Sequence, residues 1–278
     1  MILVVGASGN VGRYVAEELA RREAPAKLAS RSPDARAWPP NAQVVPMDMA
    51  DPPSVTQALD GVTKVFLVVP VFAPPRFVEG FIKAARRSGV QRIVYLSSLS
   101  LEPMHPIAEK LWADVKAEHV AGEVEIRASG IAHTFLRPGP FMSNAVFQWA
   151  ESIRSGGVVR PWYGNHPEAA IHPRDVAEVG VRALLEDGHG GRVYDLTGPQ
   201  LISPAEQVGL IGELLGRPLR FEEGSATAVR ETGANREHIV IPQGIMPWSR
   251  VRPTLEQVLG RQGATFERWA YEHIELFR

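Results

Sequence analysis

Three glycines at a spacing of three, Gly6, Gly9 and Gly12 in GASGNVG, sit directly between the apolar run ILVV at 2–5 and a helical pattern near 11–22. No other feature constrains the fold as much. A glycine triad between strand and helix permits a tight turn, a close approach of backbone to a ligand, and close packing of helix on strand. The first amides of that helix then face an anion. The alternation continues with apolar, β-rich runs KLAS at 27–30, QVVPM at 43–47, KVFLVV at 64–69, RIVYLSS at 92–98 and HTFLRPG at 133–139, and helical patterns near 76–88 and 107–129. Strands that are apolar throughout and alternate with helices belong to a parallel sheet covered on both faces. The predicted fold class is therefore α/β, a Rossmann-type doubly wound parallel sheet with a smaller, mostly helical C-terminal lobe.

Past Pro138 the alternation stops, and proline, glycine and aromatic residues accumulate in GPFMSNAVFQWAESIRSGGVVRPWYGN. IHPRDVAEVGVRALLED reads as a helix with Pro173 in its first turn, and RVYDLTG at 192–198 as a strand. In SPAEQVGLIGELLG, Ser203, Pro204 and Glu206 make a capping box. The remainder, from Arg217 to Arg278, reads as mostly helical. Residues 1–138, rejoined by 170–198, are expected to form the dinucleotide-binding domain, and 139–169 with 199–278 the substrate-binding lobe.

Cysteine is absent, which rules out disulfides, thiolate metal sites and a catalytic thiol and suits a reducing cytoplasm. Thirty Lys and Arg against 31 Asp and Glu, with no long basic run, argue against a nucleic-acid partner. The longest apolar run, VFLVVPVFAPP from Val65, is short and broken by prolines, and ILVV begins at the second residue, so no membrane span or signal peptide is expected. The expected setting is cytoplasmic, with a small-molecule substrate; nothing here sets the oligomeric state.

Cofactor choice in such folds is decided about 20 residues beyond the glycines, where an acid takes the ribose hydroxyls or an arginine takes a 2′-phosphate. Here the second run ends KLASRSPD, placing Arg31 at that point with Ser30 and Ser32 beside it. A planar, permanently charged fork suits a phosphate. NADP(H) is expected in preference to NAD(H), held by Gly6, Ser8, Gly9, Asn10, Val11, Gly12 and Arg31.

With GASGNVGR, the arginine in ASRSP, VVPMDMAD, KVFLVVP, RIVYLSS, ASGIAHTFLRPGPFMSN, IHPRDVAEV and VYDLTGPQLIS, the chain resembles, almost end to end, the NmrA-like, atypical branch of the short-chain dehydrogenase/reductase superfamily. That branch includes triphenylmethane-dye reductases, NADPH:quinone reductases and redox-sensing regulators. The resemblance implies that Asp48 and Met49 lie beside the adenine. Val69, Pro70 and Ser97 would lie on the nicotinamide side, and Pro138, Gly139 and Phe141 would line its end of the cleft.

Most of the superfamily uses a Tyr-x-x-x-Lys pair, the phenol acting as acid. Four residues beyond Tyr14, Tyr95, Tyr163, Tyr194 and Tyr271 stand Glu18, Leu99, Pro167, Gly198 and Glu275, so the pair is missing. Alignment with that motif puts Val115 at the tyrosine and His119 at the lysine position, and the resemblance implies a similar histidine in quinone and dye reductases. Hydride addition to a simple ketone builds an alkoxide, for which an adjacent acid is worth about a hundredfold or more. Quinones, enones and cationic dyes delocalise the arriving electrons and need it less. His119, titrating near neutrality, is the candidate for ribose binding or proton delivery, or else a surface histidine paired with Glu118 or Glu123. Lys116 is the other candidate if the helix register differs.

Phe72, Phe141, Trp149, Trp162 and Tyr163, with Met142 and Trp248, could line an apolar substrate pocket or be ordinary core. His166 and His172 lack partners at metal-ligand spacing, so no metal is expected. The function expected is NADPH-dependent hydride transfer to a quinone-like or other conjugated molecule. The alternative is an NADP(H)-sensing regulator of the NmrA type, and a third reading is an isomerase or lyase that retains the nucleotide.

Overall fold

The computed structural model describes residues 1–35, 37–40, 42–70, 74–160, 164–222, 227–232, 235–240 and 246–278. From the N-terminus, β1 (Ile2–Val4) leads through the glycine turn to α1 (Gly12–Arg21), β2 (Ala26–Ser30), β3 (Gln43–Pro46), α2 (Pro52–Ala58), β4 (Lys64–Leu67), α3 (Pro75–Arg87) and β5 (Arg92–Leu96). There follow α4 (Pro106–Leu111), α5 (Ala113–Ala128), β6 (Ala132–Pro138), α6 (Asn144–Ser155), β7 (Val158–Val159), α7 (Pro173–Leu185), β8 (Val193–Leu196) and α8 (Pro204–Leu215). The last elements are β9 (Arg220–Phe221), β10 (Thr227–Thr232), β11 (Asn235–Val240), α9 (Thr254–Leu259) and α10 (Phe266–Glu272).

Seven strands form one sheet in the order β3-β2-β1-β4-β5-β6-β8. The pairs β1–β2, β2–β3, β1–β4, β4–β5 and β5–β6 are parallel. Chain order therefore reverses between β1 and β4, the switch point at which open parallel sheets bind their ligands. This is the Rossmann-type α/β plan expected from the alternation.

The chain divides into two compact units. The first comprises Met1–Leu101, Asp114–Pro138 and Pro173–Asp195. Its core includes Leu3, Val5, Val65, Leu67, Phe81, Ile93, Tyr95 and Phe135, contributed by the central strands and α3. The second comprises Glu102–Ala113, Gly139–His172 and Leu196–Arg278. Trp149, Ile153, Ile211, Phe266, Trp269 and Phe277 are buried in its own core.

Three differences from the sequence reading have physical reasons. The single helix expected near 107–129 is two, α4 and α5, interrupted at Trp112, whose ring packs edge-on against Trp248 at 5.4 Å within the second unit. The tail from Arg217 is less helical than expected: β10 and β11 pair antiparallel from Thr227↔Val240 to Thr232↔Asn235, in segments rich in β-branched residues. The Pro-Gly-aromatic stretch after Pro138 contains a helix, α6, with Ala145, Trp149, Ala150 and Ile153 buried at helical spacing. The capping box at α8 is formed as written: Ser203 Oγ accepts from the Glu206 amide, and Glu206 Oε2 accepts from the Ser203 amide at 2.7 Å. Among the described residues no helix is long and apolar enough to cross a membrane.

Candidate functional site

The turn after β1 is built so that only glycine fits. Gly6 has φ +75°, and a Cβ there would lie 2.9 Å from the Val68 Cβ. A Cβ on Gly12 would lie 2.0 Å from the Gly6 carbonyl oxygen, well inside contact distance. The Gly9 amide closes the turn by donating to that same oxygen at 2.9 Å. Ala7 and Val11 point into the core, while Ser8 and Gly9 are exposed and Asn10 half-buried. A cradle that any Cβ would fill, opening the ten-residue α1 at the switch point, fits the pyrophosphate of a dinucleotide.

Neighbouring strand ends bring other expected residues to this edge. Register Val4↔Leu28 carries both chains past the same end of the sheet, where Arg31 follows β2, exposed and without an ion pair among the described residues. Asp48 is exposed; its carboxylate accepts from the Ala50 amide at 2.9 Å, and Met49 packs against the core. Val69 and Pro70 follow β4, on the other side of the switch point. Pro138 is buried at the end of β6.

Ser97, just past β5, is buried, and its hydroxyl is committed: it donates to Glu123 Oε1 at 2.8 Å. Glu123, buried on α5, also receives Arg137 Nε at 2.8 Å and Nη2 at 2.7 Å, with Arg127 at 3.6 Å. Burial pushes this carboxyl up, but the hydrogen bonds from Arg137 and Ser97 and the charges of Arg137 and Arg127 outweigh it and hold the group below its ordinary value.

One turn earlier on α5, His119 turns its ring toward Tyr95 of β5, with Nδ1 and the phenol oxygen 3.4 Å apart and the rings tilted by 54°. Burial lowers the His119 pKa to about 4 against the opposing pull of Glu123, so the expectation of a group titrating near neutrality is corrected. Nor is it a surface histidine paired with an acid: its partner is a phenol that is 1% exposed. Burial also raises Tyr95, with the charges of Glu123 and Glu118 adding to it. His119, Tyr95, Glu118, Ala121, Val69, Pro70, Pro75 and Val78 enclose a cavity of about 20 Å³. Lys116, half-buried on the same helix, is not among the residues that line it.

In the second unit, Phe141 is half-buried and bridges to Ile171. Trp149, expected as a substrate contact, is 3% exposed in the core of that unit and is corrected to a packing residue, because α6 turns it inward with Ala145 and Ile153. Phe72, Trp162 and Tyr163 lie outside the described residues. His172 is buried with Nε2 3.4 Å from Glu272, and no group of three or more His, Cys, Asp or Glu among the described residues could hold a metal.

Sequence reasoning missed Tyr95, Glu123 and Arg137 as site residues. The signal lay in two periods: Tyr95 on β5 and Ser97 just past its end are two apart in extended sequence, while His119 and Glu123 are four apart on a helix and share a face.

Residues 6–187 match the NAD(P)H-binding family. Over 287 residues the chain is 38% identical to the (4-alkanoyl-5-oxo-2,5-dihydrofuran-3-yl)methyl phosphate reductase of Streptomyces griseus, covering 100% of this chain and 99% of that one. It is 31% identical over 293 residues to the NAD(P)H azoreductase of Xenophilus azovorans, with the same coverage. The fold superposes on the NADPH-dependent quinone oxidoreductase of Escherichia coli in complex with NADPH, with a TM-score of 0.72, 23% identity and 100% of both chains covered.

Proposed function

The chain belongs to the NAD(P)H-binding family, and from that premise we propose that it is an NADPH-dependent reductase of conjugated, electron-accepting small molecules. Its relatives are named reductases, which supports an NAD(P)H-dependent oxidoreductase as the coarse reading. The observation that carries the finer one is the side chain standing nearest to an acid on α5: a neutral imidazole beside a buried phenol, with no lysine four residues beyond any tyrosine. Such a site offers hydrogen bonds but no ready proton at neutral pH. It suits acceptors whose electrons delocalise as hydride arrives and whose proton comes late, from water. The alkanoyl dihydrofuranone in the name of the Streptomyces relative and the azo compounds in that of the Xenophilus relative are acceptors of this kind.

Gly6, Ser8, Gly9, Asn10, Val11 and Gly12 would hold the pyrophosphate, Asp48 and Met49 the adenine, and Val69, Pro70, Ser97 and Pro138 the nicotinamide end. Bound there, the cofactor supplies the hydride. Arg31, exposed at the end of β2, would take the 2′-phosphate and so favour NADPH over NADH. Ser97, with its proton engaged by Glu123, would meet its ligand as an acceptor. The second unit would carry the substrate-binding surface.

The test is NADPH oxidation, followed by absorbance, with a panel of quinones, acyl butenolides, azo compounds and triphenylmethane dyes. Turnover with at least one class and none with simple ketones is expected. Tight NADPH binding with no turnover anywhere would overturn the reading in favour of a cofactor sensor. Arg31→Ala should weaken NADPH binding by about 10- to 100-fold and leave NADH binding unchanged.

A further inference from the structure

We propose that Tyr95 is a positioning residue that fixes the tautomer of His119, so that the imidazole presents an Nε2–H donor to a single ligand oxygen. A neutral imidazole carries one N–H and a phenol one O–H. The phenol of Tyr95 is 1% exposed, and its only hydrogen-bond partner among the described residues is His119 Nδ1. If Nδ1 held the ring proton and donated it, the buried phenol hydrogen would have no protein acceptor among the described residues and would depend on a water in the adjoining cavity, the less economical arrangement. With the phenol donating to Nδ1, both groups are satisfied and the ring proton sits on Nε2. At 3.4 Å this hydrogen bond is long, as such contacts often are before a ligand tightens them.

The packing holds the phenol in this role. A Cβ on Gly122, three residues beyond His119 on α5, would lie 2.5 Å from the Tyr95 oxygen and 2.8 Å from Cζ. Glycine there lets the phenol seat directly against the helix that carries the histidine. The adjoining cavity of about 20 Å³ has room for one water molecule or one polar atom of a ligand. Its other walls, Val69, Pro70, Pro75 and Val78, follow β4 or belong to α3 and carry no charge. The charges near the ring are Glu118 and Glu123 on α5, the latter ionised and ion-paired with Arg137 of β6 and with Arg127. His119 therefore donates a hydrogen bond and keeps its proton, the way a neutral histidine serves as an electrophile.

That the ligand oxygen belongs to cofactor or substrate rests on the reductase reading; the tautomer does not. The test is therefore made first on the protein without added ligands, by two-bond ¹⁵N–¹H correlation spectra of the imidazoles, with His119 identified by its loss in His119→Gln. The Nε2–H pattern is expected, unchanged from pH 8 down to pH 5.5. Tyr95→Phe should convert it to a mixture of tautomers and lower kcat by roughly tenfold with little change in KM, short of the hundredfold or more that losing a donor outright costs. An Nδ1–H pattern in the wild type would overturn the proposal even if Tyr95→Phe failed to fold. So would titration near 6.5, or a Tyr95→Phe spectrum with the tautomer unchanged. Absence of turnover with every acceptor would overturn the reductase reading and leave the spectra to decide this one.

Discussion

Glu123 and Glu168 are buried to nearly the same depth, 4% and 6% exposed, one in each unit, and their charge states are displaced in opposite directions. Burial pushes both carboxyls up. Around Glu123 a bidentate arginine, a second arginine and a serine hydroxyl reverse that push, and the group is held below its ordinary value. Glu168 has a Gln207 side-chain amide working against its burial, and it rises to about 7. Depth sets the cost of a buried charge, and the partners decide whether the charge survives. The first unit thus keeps a full negative charge beside Ser97 and His119, while the second holds an acid that is half-protonated near neutrality.

Removing the partner that survives by charge should cost most. Glu123→Leu leaves the Arg137 guanidinium, whose side chain is 21% exposed, without its carboxylate, and urea denaturation should show a loss of about 3–5 kcal/mol. A loss below about 1 kcal/mol would break the comparison. Glu168→Gln should act in the other direction. Because the folded protein holds the Glu168 proton up to about pH 7 while an ordinary carboxyl releases it near 4.5, stability falls as pH rises through that window and levels off above it. The amide removes this slope, so the variant should match wild type at pH 4 and exceed it at pH 8 by roughly 3 kcal/mol. Equal effects at both pH values would show that Glu168 is not protonated in the folded state. Arg127→Met should matter least, under about 1 kcal/mol by thermal melts, since that arginine is 48% exposed and stands 3.6 Å from the carboxylate.

What the sequence shows of this molecule follows from how local each constraint is. The glycine turn was legible because Gly6, Gly9 and Gly12 act through backbone sterics within seven residues, and the strands because most carry a short apolar run such as VFL in β4 or IVYL in β5. The capping box was legible for the same reason. Glu123, Arg137 and Tyr95 were not, since their meaning depends on a helix and two strands being brought together, and a charged residue on a helix reads locally as solvated. The interruption at Trp112 was hidden likewise: it comes from a ring contact with Trp248, far along the chain. The β10–β11 pair was missed because charged residues such as Arg230, Glu231, Arg236 and Glu237 mask its period of two. Arg31 shows the reverse case, a residue that the sequence singles out at a strand end and that packing alone leaves unexplained.

The division of the chain also bears on how proteins of this plan acquire new substrates. The backbone passes between the two units five times, after Leu101, Ala113, Pro138, His172 and Asp195. No single cut, fusion or recombination event separates one unit from the other with its segments intact. Exchanging the second unit between relatives would mean replacing three stretches together. Divergence in such a chain is therefore expected to proceed by substitution and by local changes of loop length, residue by residue along interleaved segments.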